Sequence, residues 1–364
     1  MTSRQQLIKK LENFLEQIYD TIEKDEIPEA QMRSRTKNNI KYDPENRHWI
    51  LGDRIVTKSA KTKGGAKELL KLAQMVRYLH TQLIANTTST LREVYYQSLG
   101  WGSTYAMFET VNESNLMLEH LEVLLTEIRQ SFGVIPEVSG RLYGPITIRE
   151  RTKKGQIRTI DCRQDVNSGG YFLPTRFEDF EILSCTADFV LVIETGGLFN
   201  RLLEDEFDEK YNCLLVHTAG QPSRMVRRLV RELAQNWKKP VAIFTDGDVW
   251  GKLIAKGLSA GTIKSAHLSD QLTTPNAIHI GVHSSQIKEF NLPTDKITDL
   301  EAERLKEALK DPRFCEPEEV ADIKLMLETK LKAEQQALAR YGLRYASDVY
   351  LPKVLRHYGF LKDA

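Results

Sequence analysis

Three acidic residues follow two apolar segments of the chain and are the first candidates for chemistry. Asp246 and Asp248 are separated by one glycine and follow the apolar run VAIF, and Glu194 follows FVLVI in the same way. Continuous apolar runs are typical of parallel strands that are buried on both faces. Ligands of open α/β sheets bind outside the carboxyl ends of the strands. The two strand ends therefore predict one site with three oxygen ligands and no His or Cys, which favours Mg²⁺ over zinc.

An alternative for the pair Asp246 and Asp248 is a polar turn after a strand, because Asp and Gly are common turn residues. The presence of Glu194 at the end of a second strand favours the metal site over the polar turn. The order of predicted elements is strand, Glu, helix, strand, helix, strand and DxD, which resembles the Toprim fold. That resemblance implies a metal site like those of type II topoisomerases, primases and some nucleases, and it leaves the reaction open.

The sequence TLREVYYQSLG contains the second candidate group. Thr90 and Glu93 have the spacing of a capping box, which predicts that a helix begins here. Helical spacing places Tyr95 on the apolar face, and it places Arg92 and Tyr96, four residues apart, together on another face. A cation beside an outward-facing tyrosine favours the phenolate, and a guanidinium can donate two hydrogen bonds to a phosphate. The alternative is that the adjacent tyrosines serve only packing on an amphipathic helix.

Length and composition describe a globular protein of more than one domain. The chain has 364 residues, of which 41% are hydrophobic and 28% charged, so it can bury large cores. No apolar run approaches the ~20 residues that span a bilayer, and the N-terminus lacks a signal-peptide apolar region. We therefore expect a cytoplasmic, nucleoid-associated protein without a membrane partner. The net charge of +1 neither indicates nor excludes nucleic-acid binding, and the widely spaced cysteines predict reduced thiols.

Helical and strand-type segments follow one another in an order that predicts an α+β protein. An amphipathic helix near 3–24 precedes a strand-rich part, in which Lys58, Lys61 and Lys63 are interpreted as a solvated loop. The pattern is helical from about 66 to 130, and two strands joined by a basic turn near Lys153 follow. Three helices and a hairpin fit a winged helix, a DNA-binding arrangement. Strands and helices then alternate over about 180–292.

Two further segments have more than one interpretation or no readable chemistry. The helix after Pro222 carries four arginines, most of them on one face: Arg224, Arg227, Arg228 and Arg231. They form either a solvated face or phosphate contacts beside the predicted metal site. The tail over 298–364 is helical and charged, and we expect it to serve packing or oligomer contact.

The tyrosine and carboxylate segments together resemble the A subunit of archaeal-type DNA topoisomerase VI. Further matching stretches occur in the expected order between about 10 and 355: SGRLYGPITIRER, VIETGGLFNRL, FDEKYNCLLVHTAGQPSRMVRRLVREL, VAIFTDGDVWG and LMLETKLKAEQQAL. The resemblance to the related meiotic double-strand-break transesterases is weaker in the flanking segments. The family's nucleophile is the second tyrosine of R-[DE]-x-Y-Y, which falls on Tyr96, and the motif arginine falls on Arg92. The Toprim glutamate falls on Glu194, and the DxD aspartates fall on Asp246 and Asp248.

The resemblance implies an α+β multidomain protein, in which a winged-helix (CAP-like) DNA-binding domain precedes an α/β Toprim domain. The expected N-terminal extension, 1–66, contacts a B subunit. The winged-helix domain with the catalytic tyrosine covers 67–150, and connecting strands cover 151–187. The Toprim metal-binding domain with a helical C-terminal part covers 188–364.

The resemblance also implies the chemistry of a type IIB DNA topoisomerase, which is an isomerase. Tyr96 would form a 5′-phosphotyrosine in each DNA strand, assisted by Mg²⁺ on the Toprim carboxylates. The chain has no Walker sequence, and in the family a separate B subunit with a GHKL ATPase fold binds the ATP for duplex passage. The expected assembly is an A homodimer within an A₂B₂ heterotetramer on double-stranded DNA. A Toprim nuclease, a stand-alone double-strand-break transesterase and a non-catalytic DNA-binding scaffold are the alternatives.

Overall fold

A computed structural model describes residues 3–136, 140–152 and 154–362. The chain divides into two compact units. The first, here called the helical unit, comprises 1–41 and 51–137, and the second, the sheet unit, comprises 42–50 and 138–364. Within the described ranges, no helix has both the length and the apolar character that crossing a membrane requires.

The helical unit packs α-helices and a pair of antiparallel strands around one apolar core. In chain order, the elements from residue 4 to residue 125 are α1 (Arg4–Glu23), β1 (Glu29–Arg33), β2 (Ile40–Asp43), β3 (His48–Leu51), β4 (Ile55–Ser59), α2 (Lys63–Ala85), α3 (Leu91–Ser98) and α4 (Val111–Leu125). Strands β1 and β4 pair along their whole length, and β2 pairs with β3. Lys58 lies in β4 and Lys63 begins α2, so the predicted solvated loop is confined to 60–62.

Helix α1 is amphipathic, as its sequence pattern predicts, and it buries its apolar face within the helical unit. Leu7, Leu11 and Phe14 join the core to which α2 and α4 also contribute. Near the end of the helix, Tyr19 and Ile22 are exposed. The predicted helix therefore has a structural role, and its last turns keep an apolar surface free.

The sheet unit is built on a mixed sheet with helices against it. The strands and helices that follow residue 140 are β5 (Arg141–Tyr143), β6 (Ile146–Arg151), β7 (Ile157–Asp161), β8 (Tyr171–Phe172), β9 (Phe180–Cys185), β10 (Phe189–Ile193), α5 (Gly196–Glu204), α6 (Phe207–Lys210), β11 (Cys213–His217), α7 (Arg224–Gln235), β12 (Val241–Phe244), α8 (Val249–Ser259), α9 (Ser269–Leu272), β13 (Ile278–Gly281), α10 (Ser284–Glu289), β14 (Asp295–Lys296), α11 (Asp299–Ala308), α12 (Pro317–Thr329), β15 (Leu331–Lys332) and α13 (Leu351–His357).

The main sheet has the strand order β13-β12-β10-β11-β5-β8 in the part of the chain that the structure describes. Strands β10 to β13 are parallel, and β5 runs antiparallel to β11. Every residue of β10, β11 and β12 is buried, and one apolar cluster covers each face. The two parallel strands predicted from the apolar runs, β10 and β12, are thereby confirmed, because burial on both faces requires such runs.

The β-hairpin predicted as a wing forms, but it belongs to the sheet unit. Strands β6 and β7 pair antiparallel, and β9 pairs with the other side of β6. Lys153, in the predicted basic turn, lies outside the described residues. The strands that accompany α2, α3 and α4 in the helical unit are instead β1 and β4.

Three arginines of α7 make contacts within the sheet unit, and one of them, Arg227, is buried. The Nε of Arg227, which is buried, donates to the carbonyl oxygen of Leu272 at 3.2 Å. Arg231 donates to a neighbouring carbonyl, and the guanidinium of Arg228 lies 4.2 Å from the ring centre of Phe177. For the buried Arg227 both predicted alternatives, a solvated face and a phosphate-binding face, are wrong, and for the partly exposed Arg228 and Arg231 they stay predictions. Segments distant in sequence cover the helix face that carries Arg227.

Candidate active site

Glu194, Asp246 and Asp248 lie at one edge of the main sheet, where β10 and β12 end. The strands are adjacent and parallel, and Ile193 is the register partner of Phe244. The backbone N–H of Asp246 donates to Glu194 Oε2 at 3.0 Å. Asp248 caps α8, because its Oδ1 accepts from a backbone N–H of the first turn at 2.7 Å. Local sequence thus positions the two aspartates, because β12 ends before Asp246, the chain turns at Gly247, and α8 begins after Asp248.

Burial and mutual repulsion disfavour the charged forms of two of these acids. Burial raises the pKa of Glu194 to about 7; the N–H of Asp246 opposes this rise, and the charges of Asp246 and Asp248 add to it. Burial likewise raises the pKa of Asp246 to about 6, against a backbone hydrogen bond from Gln335. Raised carboxyl pKa values at a strand end are typical of functional sites. A bound cation would relieve the repulsion.

The donor set fits a magnesium ion held partly by water. Among the residues with described positions, no group of three or more His, Cys, Asp or Glu side chains is arranged so that it could hold a metal ion by itself. Glu194, Asp246 and Asp248 each use one oxygen to accept a backbone N–H. Mg²⁺ requires oxygen ligands, keeps several waters, and is usually bound through one or two carboxylates rather than a closed protein cage. Each of the three acids has a second carboxylate oxygen besides the one that accepts an N–H, and carboxylate oxygens are the donor type that Mg²⁺ requires.

Gln335 completes the site, although it is not among the residues predicted from the sequence. It is fully buried, and its backbone N–H donates to Asp246 Oδ1 at 2.8 Å. Its side-chain Nε2 donates to the carbonyl oxygen of Phe244 at 2.9 Å. Its Oε1 accepts from the N–H and the hydroxyl of Thr195, at 3.1 and 2.8 Å. One amide side chain therefore ties together the ends of β10 and β12.

A short backbone bridge brings this glutamine to the site. The N–H of Gly247 donates to the carbonyl oxygen of Ala333 at 2.8 Å, and the reverse bond measures 3.3 Å. A Cβ on Gly247 would lie 2.9 Å from that oxygen, so the close approach requires glycine. Residues 331–335 pack against the strand ends, as the predicted packing role of the tail allows, and they bring Gln335 to the carboxylates. The only local signal was the pair of glutamines between alanines in KAEQQAL.

Gln335→Ala is expected to weaken both the fold and the metal site. It removes the acceptor of the partly buried N–H and hydroxyl of Thr195 and one of the two donors to the Phe244 carbonyl, which costs about 1–3 kcal/mol of unfolding free energy. Urea unfolding would measure this loss, and calorimetric titration would measure weaker Mg²⁺ binding. The matched control is Gln336→Ala, because the neighbouring glutamine is exposed. Equal stability and equal Mg²⁺ affinity in the two variants would contradict the role of Gln335.

The candidate tyrosine lies on α3 in the helical unit. Thr90 and Glu93 form the predicted capping box, in which each side chain accepts from the other residue's backbone N–H. Tyr95 packs against the core, and Tyr96 is 58% exposed, so both predicted orientations are confirmed. Arg92 is exposed and forms no ion pair with a residue whose position the structure describes. The guanidinium one turn before Tyr96 is therefore available to an external anion.

Family models match three consecutive parts of the chain. The model for type IIB DNA topoisomerase matches 67–134. The all-beta domain in the DNA topoisomerase VI alpha subunit matches 137–186, which contains β5 to β9. The Toprim domain shared by Spo11 and the A subunit of topoisomerase 6 matches 189–355, which contains the three carboxylates and Gln335.

Curated relatives match the chain over nearly its whole length. It is 42% identical to the A subunit of type 2 DNA topoisomerase 6 from Archaeoglobus fulgidus, over 97% of this chain and 98% of the relative. It is also 42% identical to the proteins of the same name from Haloarcula marismortui, over 99% and 96%, and from Methanosarcina mazei, over 97% and 95%.

Proposed function

Since this chain belongs to the family of DNA topoisomerase VI A subunits, it is the DNA-cleaving subunit of a type IIB topoisomerase, and we propose that Tyr96 and the strand-end carboxylates perform its chemistry. The observation that carries the residue assignment is the exposure of Tyr96 beside Arg92. A buried tyrosine could not reach a phosphodiester. Tyr95, which packs against the core, is unsuited to the same role.

The reaction is a reversible transesterification. The phenolic oxygen of Tyr96 attacks the phosphorus, a bond forms between them, and the bond from phosphorus to the 3′ oxygen breaks. The phenol loses its proton and the leaving 3′ oxygen gains one, which gives a 5′-phosphotyrosine and a free 3′ hydroxyl. Arg92 favours the phenolate and donates to phosphate oxygens. Attack by the 3′ hydroxyl on the phosphotyrosine reseals the strand, so the resealing step itself consumes no ATP.

Glu194, Asp246 and Asp248 would hold Mg²⁺ at the sheet edge. When bound, the ion supplies positive charge that stabilises the phosphate as its charge develops. The protein's own contribution is to fix the carboxylates: the N–H of Asp246 holds Glu194, and Gln335 holds Asp246. Because their pKa values are raised, protons compete with a cation for Glu194 and Asp246 near neutral pH.

The helical unit is proposed to bind DNA as a winged helix. Its support is the set of α2, α3 and α4, with the β1–β4 pair packed against α2 and α4. In this assignment the β1–β4 pair is the wing, whereas the sequence analysis predicted that the β6–β7 hairpin is the wing. Contacts with double-stranded DNA are expected mainly at the backbone, with little sequence readout.

The proposed assembly is an A homodimer that joins two B subunits as A₂B₂, with ATP bound by B. Because α1 buries its first apolar residues in its own unit, the contact with B is assigned to the exposed apolar side chains that follow, Tyr19, Ile22 and Ile27. A protein that cleaves chromosomal DNA is expected at the nucleoid.

Relaxation of supercoiled plasmid tests the proposed function. With Mg²⁺ and ATP, relaxation is expected only when a B subunit is added. Reactions stopped in detergent should contain DNA ends that carry protein, and protease treatment should change their migration. Cutting without B that leaves protein-free ends would identify a hydrolytic nuclease instead.

A further inference from the structure

Arg141 lies at the same edge of the sheet as Glu194 and has no part in the chemistry described above. It begins β5 and is the register partner of His217, the last residue of β11. On the other side, His217 pairs with Ile193, the residue before Glu194. Neighbouring strands lie about 4.8 Å apart, which places the backbone of Arg141 roughly 10 Å across the sheet from that of Ile193.

Neutral partners fix the direction of the Arg141 guanidinium. Its Nε donates to His217 Nδ1 at 3.3 Å, and its Nη1 donates to the Gly169 carbonyl at 3.1 Å and to Asn200 Oδ1 at 3.0 Å. The guanidinium carbon lies 4.7 Å from the ring centre of Phe199. Burial lowers the pKa of His217 to about 4, so the imidazole is neutral at physiological pH and accepts this bond.

The charge of Arg141 has no carboxylate partner in the described part of the chain. Burial lowers its pKa, and no neighbouring acid offsets this shift. Arg163 in the same unit shows the usual arrangement, because its Nε donates to Asp208 Oδ2 at 2.8 Å. An arginine that is held in place and lacks a counterion is suited to bind an external anion.

The free side of the guanidinium faces the start of α5. A Cβ on Gly196 would lie 3.3 Å from Arg141 Nη2 and 3.4 Å from the His217 ring. Any larger side chain at Gly196 would therefore crowd Nη2. Because Gly196 follows Glu194 by two residues, the approach to Nη2 lies beside the carboxylate site.

We propose that Arg141 binds a DNA backbone phosphate within a few nucleotides of the one that is cleaved, with His217 and Asn200 as positioning residues. This assignment rests on the proposed function, which supplies DNA as the anion. The rise per nucleotide along one strand is about 3.4 Å. The backbones of Arg141 and Ile193 are roughly 10 Å apart across the sheet, so a phosphate within a few nucleotides of the scissile one is within reach of the Arg141 side chain.

The test is the salt dependence of DNA binding by the full-length dimer. Fluorescence anisotropy with a labelled duplex would compare wild type with Arg141→Gln over a range of salt concentrations. Loss of one phosphate contact in each protomer is expected to reduce the slope of log K against log [salt] by about 1 per protomer. Affinity should fall about tenfold, and cleavage should recover at high DNA concentration, because the contact acts on binding.

Asn200→Asp provides a second variant that leaves the arginine in place. A carboxylate at this exposed position would pair with Arg141 Nη1, so the salt slope should fall as in Arg141→Gln while the fold is kept. Arg163→Gln is the matched control, because that arginine already has a carboxylate partner. It should lower Tm without changing the slope.

Two outcomes would overturn the assignment. One is a wild-type slope and affinity in both Arg141→Gln and Asn200→Asp, and the other is an equal slope change in Arg163→Gln. These outcomes can be distinguished from a failure of the proposed function. If the proposed function is wrong, the wild-type protein forms no covalent adduct with DNA, whatever the slope of its salt dependence.

Discussion

Tyr96→Phe is expected to abolish covalent DNA cleavage while leaving folding and DNA binding intact. The substitution removes only a hydroxyl from a side chain that is 58% exposed, so no buried hydrogen bond is lost. Loss of a covalent nucleophile lowers the rate by about 10³-fold or more. Detergent-trapped protein–DNA adducts, quantified on gels with and without protease, would measure the effect.

Tyr95→Phe is the matched control, because it removes the same hydroxyl one residue earlier on α3 from a ring that packs against the core. Adduct formation close to wild type is expected. Substantial cleavage by Tyr96→Phe with protein-free ends would assign the reaction to metal-activated water, and Tyr96 would then have only a structural role.

Asp246→Asn is expected to remove the response to Mg²⁺ and DNA cleavage together, and to stabilise the metal-free protein above neutral pH. The amide keeps the oxygen that accepts from Gln335 but removes a charge that repels Glu194. A rise in Tm of about 1–2 °C per kcal/mol gained is expected for a chain of 364 residues. Thermal unfolding with and without Mg²⁺ would show both effects.

The raised pKa values give this prediction a pH dependence. In the folded metal-free protein, the pKa of Glu194 is raised from 4.5 to about 7. The pKa of Asp246 is raised from 3.8 to about 6. The folded state therefore binds more protons than the unfolded state between these limits. The stability that these protons give to the folded state is fully present below the ordinary pKa values of the two acids. It is lost as pH rises through about 6 to 7.

Magnesium should reverse that loss, because it binds deprotonated carboxylates. The Mg²⁺-induced rise in Tm is expected to be small at about pH 5.5 and large at about pH 8 in wild type. Asp188→Asn serves as the control, since this exposed acid precedes β10 at the opposite edge of the sheet. A Mg²⁺ response in Asp246→Asn equal to that of the control would remove Asp246 from the metal site.

The strand-end acids and the outward tyrosine were predictable because local rules determine them. An apolar run buried on both faces must end where the chain turns polar, and this locates Glu194 and Asp246. A capping box fixes where α3 begins, and from there helical spacing alone turns Tyr96 outward and Tyr95 inward. No knowledge of distant segments is needed for either conclusion.

Gln335 and the α7 arginines were not predictable because their environments come from remote parts of the chain. Gln335 meets Thr195 across 140 residues of sequence, and Arg227 is covered by the segment around Leu272. A helical wheel shows four similar arginines and cannot show which segments cover them. The hairpin β6–β7 was found from its own pattern, but its placement depended on pairing with β9.

The bridge between Gly247 and Ala333 also has a consequence for biosynthesis. Ribosomes make β10 and β12 first, and Asp246 must wait a further 89 residues for the backbone donor of Gln335. Until residues 331–335 have emerged and joined Gly247, Asp246 lacks the donor of Gln335, and the ends of β10 and β12 lack the amide side chain that joins them. A nascent or prematurely terminated chain would therefore already contain its tyrosine but lack the contacts that Gln335 makes at the acidic site.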